Sequence, residues 1–355
     1  MDRLEAWWTL AGVPGWGVQR AKQVVSQAGS LERAVEWALR KVPNAQGWLD
    51  ERLRLLHQEC ERGHWAMAWD DADYPPRWRE LPDPPLVVFG HGTPFQAEAS
   101  VCHVAIVGTR KCTAEARRVS FELGKAIGQR GATVVSGLAR GVDAAAHRGA
   151  CYVGSRTVGI LGGGVAPVQP RSSRSIAERM VELGGAILSE RPSGEAVQRW
   201  HFAARNRLVV GMCDAVVMVQ SPAKGGALIS AELALDLGVT CWVYRPENDL
   251  SAEPWAGNRQ LLNEFPTMGW QAVEELADAI TGDKCIERHC VAERDVPVAF
   301  RPTWRHLMES RGAQLDALAL RTGMDGAEMR RQLHAMEMGG WVRRMPGGWF
   351  VPLKI

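Results

Sequence analysis

No stretch of this chain approaches the roughly 18 consecutive apolar residues that a membrane-crossing helix needs, so no span is expected. The N-terminus, MDRLEAWW, lacks a basic segment followed by an apolar core; no secretory leader is read there. C-x-x-C is missing although there are 8 cysteines. Several lie in apolar strand-like runs, where cysteine behaves as a small buried hydrophobe, and a reducing cytoplasm is expected. The nearest clusters, His57 with Cys60 and His64, and Cys285 with His289 and Cys290, match no zinc spacing, so no metal is expected. Net charge is only +2, which argues against indiscriminate coating of nucleic acid but leaves room for a local basic groove. Also missing are the P-loop G-x-x-x-x-G-K-[ST], a G-x-G-x-x-G at the first core strand and the nucleophile elbow G-x-S-x-G. Neither a P-loop ATPase nor a serine hydrolase is expected, and no catalytic residue is assigned.

What is present centres on Val104 to His147. Two apolar runs, Val104–Val107 and Ala132–Val135, each end in a small-residue turn followed by a helical pattern. A strand that enters a helix through a glycine turn presents free backbone N–H groups and the positive end of the helix dipole at one point. Such a point binds anions. Arg110, Lys111 and Arg140 stand in these turns, so phosphate is the expected ligand.

The same alternation extends from about residue 100 to 280. Strands are expected at Val104–Val107, Thr133–Val135, Thr157–Leu161, Ala186–Leu188, Ala215–Val219 and Thr240–Val243, with helices such as Ala114–Gln129 and Ile176–Leu183 between them. Near-continuous apolar strands separated by helices indicate an α/β domain with a Rossmann-like, largely parallel sheet covered on both faces. Its ligand site lies beyond the carboxyl ends of the strands. The loops there are GTRK, SGLARGVD, GGGVAPVQPR, SERP and QSPAKGG, all rich in glycine, serine or basic residues. Asp143 and His147 fall four apart on one helix face; Asp143 is read as the helix cap and His147 as a residue packed beneath the loop.

Four segments follow from composition. Residues 1–68 form a small helical domain, in which GVPGWG before Arg20 and Lys22 has either the helix-hairpin-helix pattern or that of a plain helical bundle. Residues 69–99 are a proline-rich linker and run-in with one strand at Leu86–Phe89; residues 100–285 are the Rossmann-like core. Residues 300–355 read as a winged helix, helices capped near Asp316 and Asp325 followed by two short strands joined by PGG. A second basic cluster, RWHFAARNRLVVG, sets Arg199, Arg205 and Arg207 among Trp200, His201 and Phe202. Such a mixture serves a single-stranded nucleic acid, arginine on phosphate and ring on base, or equally a buried salt-bridge network under the adjacent loops.

The core resembles the bacterial DNA-processing protein A family (DprA, also called Smf). The resemblance rests on AIVGTR at Ala105–Arg110, VVSGLARGVDAAAHRGA at Val134–Ala150, the GGG turn at Gly162, RNRLVVG at Arg205–Gly211 and GGALISAELAL at Gly225–Leu235. It implies a non-catalytic, cofactor-free protein that binds single-stranded DNA, forms a homodimer and helps to load the RecA recombinase during natural transformation. It also implies a phosphate pocket of Gly108, Thr109 and Arg110; of Ser136, Gly137, Arg140 and Gly141; of Arg171; of Arg205, Asn206 and Arg207; and of Gly225, Gly226 and Ser230. VQPRSSRS departs from the family's usual YP-x-x-N-x-x-L around Arg171.

Two other functions compete. The LOG-type nucleoside monophosphate phosphoribohydrolases carry P-G-G-x-G-T-x-x-E, and Gly225, Gly226 and Glu232 keep that spacing, but Leu228 and Ile229 replace the Gly-Thr of the phosphate turn. A nucleotide-sensing regulator with the winged helix as output is the third reading.

Overall fold

Four helices open the chain: α1 (Arg3–Ala11), α2 (Val18–Ala28), α3 (Leu31–Leu39) and α4 (Ala45–Glu61). Their ends follow local chemistry. Asp2 and Glu5 form a capping box on α1, Ser30 caps α3, and Gly29 ends α2 at φ 78°, where a side chain would be strained. In this computed structural model the described residues are 1–94, 101–246, 250, 252–265, 267–282, 296–310, 313–339, 341–345 and 349–352. Cys285, His289, Cys290 and the PGG turn lie outside them.

The strands and helices then alternate: β1 (Trp65–Ala68), α5 (Pro76–Arg79), β2 (Val87–Gly92), β3 (His103–Val107), α6 (Ala114–Gln129), β4 (Thr133–Ser136), α7 (Val142–Tyr152), β5 (Thr157–Leu161), α8 (Arg174–Glu182), β6 (Ala186–Ser189), α9 (Arg199–Met212), β7 (Ala215–Met218), α10 (Gly226–Asp236), β8 (Thr240–Tyr244), α11 (Ala256–Glu264), β9 (Met268–Trp270) and α12 (Val273–Thr281). They build one sheet in the order β1-β2-β6-β5-β4-β3-β7-β8-β9. Pairings from β6 through β9 are parallel, and β1 and β2 join antiparallel. Every residue of β4, β5, β6 and β7 is buried, as helices on both faces require.

Both ends of this sheet extend beyond the six expected strands. Past Thr240–Val243, β8 pairs with β9 through Trp242, Val243 and Tyr244. Three-residue β9 escaped notice because Met-Gly-Trp has no readable period. The proline-rich stretch carries more than a connection, since β2 pairs Phe89–Gly92 with Ser189–Ala186 and so belongs to the sheet. Its prolines break helices while leaving an edge strand free to form.

The helical N-terminal segment packs onto that antiparallel end. Trp8 meets Phe89 edge-on at 5.1 Å and Trp7 meets Trp69 at 5.9 Å. One apolar cluster runs from Leu10 and Ala34 through Phe89 and Leu138 to Ile187. Lys22, on the helix after GVPGWG, lies over the Trp69 ring at 3.7 Å. Its ammonium is spent within the fold.

A clasp adds polar contacts to the same junction. Glu59 is fully buried and accepts hydrogen bonds from Ser193 N (2.9 Å), Ser193 Oγ (3.0 Å) and Arg62 Nη1 (3.0 Å), with His64 Nδ1 at 2.9 Å. Ser193 in turn accepts Ala166 N at 3.1 Å.

The C-terminal segment has helices Arg301–Ser310, Leu315–Thr322 and Gly326–Met338 and a three-stranded sheet of Ala313–Gln314, Val342–Met345 and Trp349–Pro352. This is the expected winged helix. Asp325 caps its third helix, accepting Ala327 N and Glu328 N at 2.8 Å. The cap near Asp316 is Gln314, and Asp316 is the second residue of the helix, in its first turn, where its charge complements the helix dipole.

Candidate nucleic-acid interface

The central strand, β3, is flanked by β4 on one side and β7 on the other. Chain direction reverses there, so the loops leaving these strands diverge and leave a crevice at their carboxyl ends. Three turns form its floor. Thr109 N donates to Gln220 O at 2.8 Å, Val219 N to Val107 O at 3.0 Å, and Thr113 N to Gln220 Oε1 at 2.8 Å. The turns after β3 and β7 are thereby fastened to each other.

The turn after β4 is pressed against them. Gly141 has φ 84°, and a Cβ there would stand 2.3 Å from Thr109 O and 2.8 Å from Arg110 O. Only glycine fits. Leu138, in the same turn, adopts φ 55° despite its side chain, a conformation costing about 1–2 kcal/mol. Complete burial of that side chain holds it there.

This packing also corrects the cap. Gly141, not Asp143, is the residue before α7, and no side chain caps that helix. Asp143 lies inside the first turn, buried, with Oδ2 accepting Ala139 N at 3.3 Å. Burial raises its carboxyl pKa, opposed by the nearby Arg205 and by hydrogen bonds from the loop. His147 packs below, as expected, with Nδ1 2.7 Å from Thr157 Oγ1. Burial, and next the Arg205 charge, push its pKa down to about 3. A ring that stays neutral at neutral pH and is wholly enclosed is a structural group.

The second basic cluster divides between its two readings. RWHFAARNRLVVGM is helix α9, and its arginines differ by position. Arg205 is buried under the β4 turn, close enough that a Cβ on Gly137 would fall 1.6 Å from its Nη1. Arg207 bonds Asp83 at 2.8 Å and Glu190 at 2.6 Å, leaving its side chain 15% exposed. These two hold loops together. Arg199 and Trp200, at the start of α9, are exposed, Trp200 by 59%. Trp200 is held between the Arg191 guanidinium, 4.9 Å from its ring, and His201 at 4.2 Å.

Around the crevice, Arg110, Lys111, Arg140 and Arg171 are all exposed. Arg110 lies over the Phe202 ring at 5.4 Å, which brings α9 to the β3 turn. Arg140 Nε donates to Ser172 Oγ at 3.2 Å, which brings the segment at Arg171 to the β4 turn. Asn206 Nδ2 reaches Gly226 O at 3.5 Å, linking α9 to α10. Gly225 precedes α10, whose first turn no side chain caps. Gly108, Thr109, Gly137 and Gly141 thus share one floor with Arg110, Arg140 and Arg171 at its rim. Ser136 and Ser230 are buried; the Ser136 hydroxyl donates to Ile106 O at 2.6 Å, inside the sheet. Glu232 is exposed on α10.

The loops missed in the sequence reading are those of the clasp. Glu59 and Ser193 are separated by 134 residues, and neither has a local pattern to mark it.

Comparison with known proteins gives a consistent picture. The sequence model of the family described as DNA recombination-mediator protein A matches residues 65–281, and that of the DprA winged helix domain matches 306–348. The protein Smf of Synechocystis sp. is 39% identical over 227 residues, covering 63% of this chain and 52% of its own length. The match thus spans about half of that relative. The DNA processing protein DprA of Bacillus subtilis is 32% identical over 212 residues, 60% of this chain and 67% of that one. Among solved structures, DNA processing protein A from Helicobacter pylori, described for its single-stranded DNA binding mode, aligns at 25% identity with TM-score 0.54, covering 62% of this chain and 96% of that one. The Streptococcus pneumoniae DprA structure aligns at 21% identity with TM-score 0.63, covering 78% and 98%, and shows the shared fold.

Proposed function

This chain belongs to the DNA recombination-mediator protein A family, and from that membership and the crevice we propose that it binds single-stranded DNA without catalysis. One observation carries the reading: glycine turns at the carboxyl ends of β3 and β4 are rimmed by exposed Arg110, Arg140 and Arg171 beside an exposed Trp200. The uncapped starts of α7 and α10 offer the positive ends of their helix dipoles and the arginines offer charge, both suited to phosphate oxygens. Trp200 and Phe202 offer faces to bases, which only an unpaired strand can present.

In this reading the residues have three different tasks. Gly108, Gly137, Gly141 and Gly225 let the turns pack against the fold beneath them and, with Thr109 and Gly226, form the floor on which the DNA backbone rests; Arg110, Arg140 and Arg171 neutralise it; and Arg205, Asn206, Arg207, Ser136 and Ser230 shape and charge the floor from below. Family membership and the named relatives support DNA processing as the context. Loading of RecA, action as a homodimer, a role in natural transformation and a cytoplasmic location belong to the same proposal. Among the described residues no helix is long and apolar enough to cross a membrane.

The test is fluorescence anisotropy with labelled oligo-dT and a matching duplex, repeated over a range of salt. Single strands should bind better than duplex, with affinity falling as salt rises because several phosphates are contacted. Arg110→Glu should weaken binding by about tenfold or more on every sequence. Absence of oligo-dT binding at modest salt would refute the reading. Release of free base from a nucleoside monophosphate, abolished by Glu232→Ala, would establish the hydrolase instead.

A further inference from the structure

Helix α7 starts beneath the crevice and runs away from it, and its outward face is unusual. Of its residues only Arg148 and Tyr152 are exposed, and its one acidic residue, Asp143, is buried. Arg148 has no ion-pair partner among the described residues. Tyr152 is 72% exposed and held edge-on by Phe121 of α6 at 5.7 Å. Between α6 and α8 this face floors a groove of about 370 Å³, lined by Phe121, Arg148, Cys151, Tyr152, Ile176 and Arg179, with Ser175 at its side. Burial pushes the Cys151 thiol up to about 11, so the groove holds no reactive thiolate.

The groove lies along the helix that starts at the crevice. Arg140 lies two residues before α7, and its bond to Ser172 fastens the start of α7 to the segment that leads into α8. Arg148 and Tyr152 are four residues apart and share one face of the helix. From Val142 to Tyr152 the helix rises about 15 Å, the length of about four nucleotides of a stacked strand.

We propose that this α7 groove carries the single strand onward from the crevice, with Arg148 on a phosphate and Tyr152 stacked on a base. The inference rests on the single-strand reading of the crevice and extends its site. Charge selects the occupant. Arg179 is shared with Glu182 at 2.9 Å, which leaves Arg148 as the cation open to an incoming anion. A second copy docked through α7 is the poorer fit, because the exposed residues of that helix are Arg148 and Tyr152 and it offers no exposed carboxylate to Arg148. A flexible polyanion with flat bases matches both the charge and the exposed ring.

The experiment compares a short oligo-dT of about six nucleotides with one of about sixteen, both on the full chain. The short one should fill the crevice alone; the long one should reach the groove. Arg148→Glu and Tyr152→Ala should leave short-oligomer affinity unchanged and weaken long-oligomer affinity by about five- to tenfold. Tyr152→Phe, which keeps the ring, should restore it. Arg148→Gln should also reduce the salt slope for the long oligomer alone by about 0.7. Parent-like affinity of Arg148→Glu and Tyr152→Ala for the long oligomer overturns the groove while leaving the crevice standing. A changed sedimentation coefficient with unchanged long-oligomer binding overturns it in favour of self-association. If the parent binds neither length, or Arg110→Glu binds both as the parent does, the crevice reading itself has failed and the groove falls with it.

Discussion

Thr157 Oγ donates its only hydrogen to Val134 O at 2.7 Å, so His147 Nδ1, also 2.7 Å from that oxygen, must be the donor to it. Nδ1 therefore carries the proton, and Nε2 is bare and buried. Protonating Nε2 would bury a second cation near Arg205, which is why the folded pKa falls to about 3 from an ordinary 6.5. The sign follows. Below pH 6.5 the unfolded chain takes up a proton that the folded chain refuses, so this contribution is complete above 6.5 and is lost as pH falls towards 3. By pH 5 the loss should be about 2 kcal/mol. Asp143 acts in the opposite sense, because its raised pKa favours the fold as pH falls. The measurement is therefore a comparison: urea unfolding of the parent and of His147→Gln at neutral pH and near pH 5. The variant should lose less stability on acidification, and equal losses would exclude His147 as the source. At this scale the sequence is legible in part. Four-residue spacing placed His147 under the loop, but the cap fell to Gly141 because contact with Thr109 O leaves no room for a side chain, and that contact is tertiary.

Elements show the same division between what is local and what is not. The six expected strands appear within about a residue of their bounds, since unbroken apolar runs mark buried parallel strands on their own. Helix α9 reads as basic and aromatic from sequence, yet its two tasks separate only when the sheet is built. Arg205 and Arg207 turn inward to Asp143, Asp83 and Glu190, whereas Trp200 turns outward. The clasp left no sequence signal, because a glutamate at the end of an amphipathic helix looks like a solvated charge. Its geometry makes a sharp prediction. Glu59→Ala removes the acceptor for Ser193 N, Ser193 Oγ and Arg62 and strips His64 of its partner, and should cost about 3 kcal/mol. Ser193→Ala removes one hydrogen bond from each of Glu59 and Ala166 and should cost about 1–2 kcal/mol. Denaturant unfolding of both variants gives the ranking, and a Glu59→Ala protein as stable as the parent would show that the clasp adds nothing.

At the scale of the whole molecule, the apolar clusters state which parts depend on one another. The winged-helix cluster, built on Val296, Trp304, Leu307, Leu318 and Leu333, shares no residue with the three clusters of the sheet. The N-terminal helices have no such independence: Trp8, Leu10 and Ala34 belong to the same cluster as Phe89, Leu138 and Ile187. Leu138 belongs to the β4 turn that floors the crevice, so the cluster joins the first helix to the proposed DNA site. Two truncations should therefore behave in opposite ways. A chain ending at Gly282 should keep the melting temperature of its main transition and its affinity for short oligo-dT, since it leaves the three sheet clusters whole. A chain starting at Trp65 exposes Phe89 and unpairs Ser193 by removing both Trp8 and Glu59. It should melt well below the parent, with short-oligomer binding weakened as the Ser193 and Leu138 loops loosen. Calorimetry and anisotropy on the two truncations decide it. A shorter chain lacking residues 1–64 that melts and binds as the parent does would mean that the N-terminal helices only rest on the sheet, and that the crevice loops are held from the core alone.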